Sequence, residues 1–353
     1  MEGMAMTDPV VEEDAARVIR AGGGMLSGLE GKSVLVTGGA GFLGAFFLDV
    51  LHQLNENFSR PCEIICLDSF ISGTPKRIAH LEGQKHVKLV KGSITEPLPG
   101  WLKPDYILHC ASIASPTFYR LHPIETMDAN VNGTRNLLEL ARRHPIKSMV
   151  FFSTSEIYGD PPTGMVPTPE TYRGYVSCTG PRACYDESKR FGETLCVNFH
   201  RAHGVPVKSV RPFNVYGPGL RLDDKRVIPD FFSNGFRGED IALLSDGRPT
   251  RSFCYLSDAA DGFLRVLLRG RNGEAYNVGN DEEISMLDLA RKISGLFGRG
   301  VTFKKSEDKE YLTDNPMRRC PDLAKIRSEL GYSPKVALDE GLARTKKWYE
   351  RNR

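Results

Sequence analysis

Hydrophobic positions along the chain change period several times, and those changes divide it. Val10, Val11, Ala15, Val18 and Ile19 recur at helical spacing, and Gly22, Gly23 and Gly24 stop the pattern. Residues 1–31 therefore predict a helix that either docks on the body of the protein or forms a flexible arm. From Lys32 onward, short apolar runs alternate with helix-length stretches. Strands are predicted at 33–37, 63–67, 87–90, 106–110, 148–153 and 207–211, and helices at 42–54 and 131–143. Buried strands that alternate with helices predict an α/β, doubly wound parallel sheet of the Rossmann type, covered on both faces.

Beyond residue 211 the alternation decays. Residues 212–250 are rich in Pro, Gly and Arg; a strand near 274–279 is expected to return to the sheet, and 285–297 and 338–351 have helical spacing. The expected organisation is an N-terminal helix or arm over 1–31 and a dinucleotide-binding domain over 32–211 with the returning strand. A smaller, mainly substrate-binding C-terminal domain is expected over 212–353.

Composition narrows the class. With 353 residues, 40% hydrophobic and 26% charged, the chain has ample material for a core, which excludes whole-chain disorder, collagen and coiled coil. A net charge of 47 − 44 = +3 argues against nucleic acid as a partner. No apolar run approaches about 20 residues, so no membrane span is expected. The start shows no basic segment followed by a long apolar stretch, so a cytoplasmic location is expected. The eight cysteines follow neither a disulfide framework nor a paired zinc pattern; they read as core thiols of a reducing compartment, with no metal site.

The chemistry begins at Gly38, Gly41 and Gly44, a GxxGxxG pattern between the first strand and the first long helix. Glycines there allow a tight turn and close approach of backbone to a pyrophosphate, which then meets the free N–H groups of Phe42 and Leu43 at the helix N-terminus. Asp68 ends the second strand, where a carboxylate accepts from the adenosine ribose hydroxyls and repels a 2′-phosphate; no arginine directly follows it, so NAD is preferred to NADP. Tyr185 and Lys189 lie one helical turn apart on one face. A tyrosine base must fall from a pKa of about 10 to about 7, which needs roughly 4 kcal/mol. A lysine charge at about 5 Å supplies roughly 3 kcal/mol at an effective dielectric of 20. The Thr154 hydroxyl and a positive nicotinamide ring would supply the remainder, which implies an oxidised resting cofactor.

These segments resemble the extended short-chain dehydrogenase/reductase family over about residues 32–350. The resemblance rests on residues 38–44 (GGAGFLG), Asp68, residues 130–134 (NVNGT), 154–159 (TSEIYG), Tyr185 with Lys189, and 211–218 (RPFNVYGP). Residues 180–187 (GPRACYDE), 222–227 (LDDKRV), 250–253 (TRSF) and 318–322 (RRCPD) are similar to its UDP-glucuronate decarboxylase (UDP-xylose synthase) subgroup. The resemblance implies NAD-dependent decarboxylation of UDP-glucuronate to UDP-xylose through a 4-keto intermediate. It also implies Ser69, Ser72, Gly73, Ser93 and Ile94 as further cofactor contacts, beside Tyr185 and Lys189. Ser115, Tyr119, Glu156, Asn214, Arg226, Arg251 and Arg319 would meet the UDP-sugar, and Thr154, Glu156, Tyr185, Lys189 and Arg319 would be catalytic. Family members pair their 131–143 and 186–203 helices, which implies a homodimer.

Glu156 discriminates among subgroups. Related 4,6-dehydratases carry an acid directly after the threonine to protonate a departing 6-hydroxyl, whereas here that position is Ser155; related 4-epimerases place a small hydroxyl residue at the Glu156 position. The alternatives are a 4-epimerase, a 4,6-dehydratase, a decarboxylase that releases the 4-keto pentose, or a noncatalytic NAD-binding interaction protein. The last would be favoured by a missing Tyr185 or Lys189, and both are present.

Overall fold

The computed structural model describes residues 7–306, 313 and 316–353. Its helices are α1 (Pro9–Gly22), α2 (Phe42–Leu54), α3 (Pro116–Leu121), α4 (Pro123–Asp128), α5 (Thr134–Arg143), α6 (Ala183–His203), α7 (Val227–Phe236), α8 (Leu256–Arg269), α9 (Met286–Phe297), α10 (Ala324–Leu330) and α11 (Leu338–Asn352). Seven strands form one parallel sheet: β1 (Ser33–Thr37), β2 (Glu63–Asp68), β3 (Val87–Lys91), β4 (Tyr106–His109), β5 (Ser148–Phe152), β6 (Val207–Pro212) and, after several short strands, β11 (Ala275–Val278). The short strands are β7 (Val215–Tyr216), β8 (Ile241–Leu243), β9 (Thr250–Ser252), β10 (Cys254–Tyr255), β12 (Glu283–Ser285), β13 (Val301–Phe303) and β14 (Arg318–Arg319).

The sheet order is β11-β6-β5-β4-β1-β2-β3, so the winding reverses between β1 and β4 and opens a crevice at their carboxyl ends. β1 is buried at every position after Ser33, and β4 and β5 are buried throughout, because helices cover both faces. One core cluster joins β1, α2 and α8; a second joins β5, α5 and α6. A third, built from Leu220, Phe232, Phe253, Leu289, Leu342 and their neighbours, gathers the segments beyond residue 215. At the outer edge of the sheet, β3 exposes Lys88 and Lys91, and Lys88 Nζ sits 3.3 Å from the centre of the Trp101 ring.

Two details differ from the expected pattern. The helix expected at 131–143 starts earlier, because α4 runs through a π-turn (Ala129–Gly133) into α5. The turn tightens at Gly133, where a Cβ would sit 2.4 Å from Ile94 Cδ1. At the N-terminus, the arm alternative is resolved toward docking. Asp8 caps α1 by accepting from Val10 N at 2.8 Å, and Val10, Val11, Ala15 and Val18 are buried in contact with α2 and α8. Asp14 is wholly buried on the same helix; burial lifts its carboxyl to about 6 against the pull of Tyr255 and Arg344.

Candidate functional site

A cavity of about 860 Å³ opens at the carboxyl ends of the strands, a size suited to a nucleotide-scale ligand. Its floor is the turn after β1. Gly38 has φ +68°, and a Cβ on Gly44 would lie 2.2 Å from the Gly38 carbonyl oxygen, so the turn closes only with glycine at both positions. No side chain caps the N-terminus of α2, which leaves its first N–H groups for an anion. Asp68 Oδ2 accepts from Ala40 N at 2.8 Å and Oδ1 from Phe70 N at 2.7 Å. Burial raises its carboxyl, and those two amides lower it. Each carboxylate oxygen keeps a second lone pair for a ribose hydroxyl. Gly73 closes over this carboxylate; a Cβ there would meet Asp68 Oδ1 at 3.0 Å. The cradle of glycines, uncapped amides and a cavity-lining carboxylate fits a dinucleotide without a 2′-phosphate.

All the expected cofactor-binding residues outside the Tyr185–Lys189 pair line this cavity: Gly38, Gly41, Phe42, Leu43, Gly44, Asp68, Ser69, Ser72, Gly73, Ser93 and Ile94. Ser115 and Arg226 line it as well. Ser115 Oγ donates to the Asp224 carbonyl at 2.8 Å, which ties the segment after β4 to the loop that carries Arg226. Arg226 is itself paired with Asp224, its Nη2 donating to Oδ2 at 2.9 Å.

Behind the cavity lies a buried polar cluster. Thr154 follows β5 and caps a short turn, its hydroxyl accepting from Glu156 N at 3.2 Å; the same hydroxyl is hydrogen-bonded to Tyr185. Tyr185 enters from the first turn of α6 and stacks on Tyr119 of α3 with ring centres 5.1 Å apart. Burial pushes its phenol above the ordinary value of 10, the Thr154 hydroxyl draws it down, and Arg226 at the cavity wall draws it further. Lys189 Nζ donates to the Phe152 carbonyl at 2.6 Å and lies 5.8 Å from the centre of the Tyr185 ring. Burial lowers its ammonium to about 7. The charge arithmetic expected from the sequence is therefore revised. Desolvation weakens the lysine's hold on its charge, and the hydroxyl of Thr154 is the largest influence that lowers the phenol.

Glu156 is the centre of the second half of the cluster. Arg182 and Arg319 donate to its two oxygens. Burial raises its carboxyl, but Arg182, Arg319 and Arg251 together outweigh burial and hold it below the usual carboxylate range. The carboxylate is thus ionised and clamped between guanidiniums, an arrangement that suits charge recognition better than proton donation. Arg251 and Arg319 are cross-strand neighbours, because β14 pairs in parallel with β9 in the register Arg319↔Arg251. Arg319 is 6% exposed, and its Nη2 is buried with no hydrogen-bond partner. Arg182, at the N-cap of α6, was not among the residues expected from sequence. The available signal was its place in 180–187, three residues before Tyr185 and so on the same side of the helix start.

Asn214 stands apart from both groups: it has φ +40°, and its Nδ2 donates to the Ser252 carbonyl at 2.8 Å, bracing the strand that presents Arg251. Among the described residues, Thr154, Glu156, Tyr185, Lys189, Tyr119, Asn214, Arg251 and Arg319 are not on the cavity wall. The link to the wall runs through Phe118, which packs against Tyr119 and Tyr185, and through Arg226, whose charge acts on Tyr185.

A model of the NAD dependent epimerase/dehydratase family matches residues 34–279. The chain is 39% identical over 309 residues to UDP-glucuronic acid decarboxylase 3 of Arabidopsis thaliana, covering 88% of this chain and 86% of that protein. It is 37% identical over 320 residues to UDP-glucuronic acid decarboxylase 1 of Xenopus tropicalis, covering 91% and 72%. Among solved structures it resembles a dTDP-glucose 4,6-dehydratase from Streptomyces venezuelae with NAD bound, with TM-score 0.80, 29% identity, and 91% and 97% of the two chains covered. It also resembles the UDP-glucose 4-epimerase of Thermotoga maritima with UDP-glucose, with TM-score 0.79, 25% identity, and 90% and 99% covered.

Proposed function

We propose that this chain, which belongs to the NAD dependent epimerase/dehydratase family, decarboxylates UDP-glucuronate to UDP-xylose and recycles its cofactor. The observation that carries the reading is the Glu156 carboxylate clamped by Arg182 and Arg319 beside the Thr154–Tyr185 pair, with Ser155 in place of a dehydratase acid. Relatives named as UDP-glucuronic acid decarboxylases support it over most of the chain.

NAD, when bound, supplies the acceptor for the C4 hydride and a positive ring charge. Tyr185 takes the C4 hydroxyl proton, assisted by Thr154, while Lys189 supports the tyrosine from below. The resulting C4 carbonyl is β to the C6 carboxylate, so the C5–C6 bond breaks, CO2 leaves and the electron pair moves into a C4–C5 enolate. Arg319, together with Arg182, orients the uronate and a water near it; a guanidinium's high pKa excludes it as the literal proton source. C5 would take its proton from that water, resupplied by solvent, and Tyr185 would give its own proton back to the C4 oxygen as C4 regains the hydride that bound cofactor would hold. Ser115, Arg226, Arg251, Asn214 and Tyr119 are the proposed nucleotide and sugar contacts.

The proposed assembly is a homodimer in the cytoplasm. Leu121, Ile124, Met127 and Phe191 are exposed along α3, α4 and α6, an apolar stripe of the kind that pairs with a second copy. Five of the eight cysteines are buried thiols, as in a chain kept reduced. A monomer mass by light scattering at micromolar concentration would remove the dimer.

Incubation of the pure protein with UDP-glucuronate, with CO2 capture and NMR of the sugar, tests the activity. UDP-xylose with stoichiometric CO2 is expected. A C4-epimerised uronate without CO2 would replace the reading with 4-epimerisation, and a free 4-keto pentose would move it to a decarboxylase that releases the ketone.

A further inference from the structure

The two ends of the described chain meet at the cofactor cavity. Thr7, Asp8 and Val11 line it from the N-terminal side and Trp348, Tyr349 and Asn352 from α11, in the same enclosure as Gly41, Phe42 and Asp68. The ends are joined by polar contacts. Asn352 Nδ2 donates to Asp8 Oδ2 at 2.9 Å. Arg344 donates to Asp14 Oδ1 at 3.0 Å, to Glu13 Oε2 at 2.9 Å and to the Val10 carbonyl at 3.2 Å. Tyr255 Oη, from β10, donates to Asp14 Oδ2 at 2.6 Å. Tyr349 Oη donates to the carbonyl of Leu220, which also lines the cavity.

Simple docking of α1 does not require this polar work. Val10, Val11, Ala15 and Val18 already bury its apolar face, and a buried carboxylate costs free energy that an apolar side chain of similar volume would not. What Asp14 adds is direction, because its two oxygens fix Tyr255 and Arg344 at once and so fix where α11 lies. Asp8 does the same at the rim while also capping α1.

We propose that Asp8 and Asp14 are positioning residues for cofactor retention: they fasten α11 to α1 as the outer wall of the dinucleotide cleft and slow exit of the cofactor. The chemical need for such a wall rests on the proposed decarboxylation. The hydride removed from C4 in the first step must still be present for the last, and escape of the reduced cofactor would strand the 4-keto pentose.

The test measures NADH dissociation by stopped-flow fluorescence with no sugar present, so its outcome does not depend on the decarboxylase reading. Asn352→Asp sets a second carboxylate against Asp8 and is expected to raise the dissociation rate about tenfold through a lost hydrogen bond and added repulsion. The double exchange Asp8→Asn with Asn352→Asp restores a donor–acceptor pair and keeps a good helix cap, so it is expected to restore slow release. Asp14→Ala should accelerate release as well; if it fails to fold, by circular dichroism, the rim pair decides alone. Release unchanged within twofold in a folded Asn352→Asp variant would overturn the proposal, as would a double exchange that releases as fast as the single variant. Faster NADH release in a protein whose wild type yields no CO2 from UDP-glucuronate would keep the clasp and remove the decarboxylase reading. With activity intact, Asn352→Asp should also increase the share of 4-keto pentose over UDP-xylose.

Discussion

The cofactor cradle and the Glu156 cluster lie in one crevice but are built in opposite ways. The cradle is backbone. Gly38, Gly41 and Gly44 fall within seven consecutive positions, and Asp68 reaches them from the adjacent strand to hold Ala40 N. The cluster is side chain. Glu156 follows β5, Arg182 heads α6, and Arg251 and Arg319 arrive on β9 and β14 from the far C-terminal part of the chain. The cradle fits a dinucleotide by the shape of its backbone, whereas in the proposed function the cluster would select the sugar by charge. Binding and identity are thus encoded at different sequence ranges, and substitutions should separate them.

The largest separation is expected for Tyr185→Phe. Loss of the acid–base hydroxyl should reduce turnover about 10⁴-fold, with NAD affinity nearly unchanged and no NADH absorbance in a single turnover. An NADH signal of normal amplitude would show that another group takes the C4 proton. Glu156→Gln comes next. It leaves Arg182, Arg251 and Arg319 facing a neutral amide, and turnover should fall about 10²-fold. Oxidation at C4 precedes loss of CO2, so NADH should accumulate transiently in this variant and not in Tyr185→Phe. Near-normal turnover would reduce Glu156 to a structural partner of the arginines.

Gly44→Ala attacks the other region. Its Cβ would fall 2.2 Å from a backbone oxygen, so the turn must shift; overpacking of this kind costs about 1–3 kcal/mol, and NAD affinity should fall about tenfold or more. Calorimetry that finds unaltered NAD binding would show the cradle to be more pliable than its geometry. The smallest effect is a pH dependence. Lys189 titrates near 7 when folded and near 10.5 when unfolded, so the unfolded chain binds more protons between those values and stability rises with pH across that window. Between pH 7 and 9 the rise should be about 2 kcal/mol, and Lys189→Met should abolish it in denaturant titrations. An equal rise in the variant would assign the slope to other groups.

This contrast also explains what was legible in the sequence. Strands β1 to β6 and helix α2 were visible because burial on both faces and helical period leave marks within a few residues. The glycine turn and Asp68 were visible because each acts on its own sequence neighbourhood. Glu156 and Arg319 were nominated one by one through resemblance, but nothing in the spacing of positions 156, 251 and 319 says that they converge. That convergence depends on the parallel β9–β14 pairing, a long-range event. Arg182 stands three residues before Tyr185, but nothing local marks it as a partner of Glu156, which lies 26 positions earlier and meets it only once α6 has packed. The role of α1 was undecidable for a related reason. Its apolar stripe announced a partner surface, but α2 and α8, which supply that surface, are known only once the sheet is wound.

One feature of the sheet bears on how the protein survives in a crowded solution. β3 ends the sheet with a row of backbone groups that could accept another strand, and its neighbours toward the interior are strongly apolar. The ammonium groups of Lys88 and Lys91 make that border a poor template for self-association. Lys88, folded over Trp101, at the same time shades an indole that would otherwise be a sticky point. This pair of lysines thereby disfavours fibre-like stacking, and Lys91 does so one strand away from the cofactor carboxylate, since it is the register partner of Asp68.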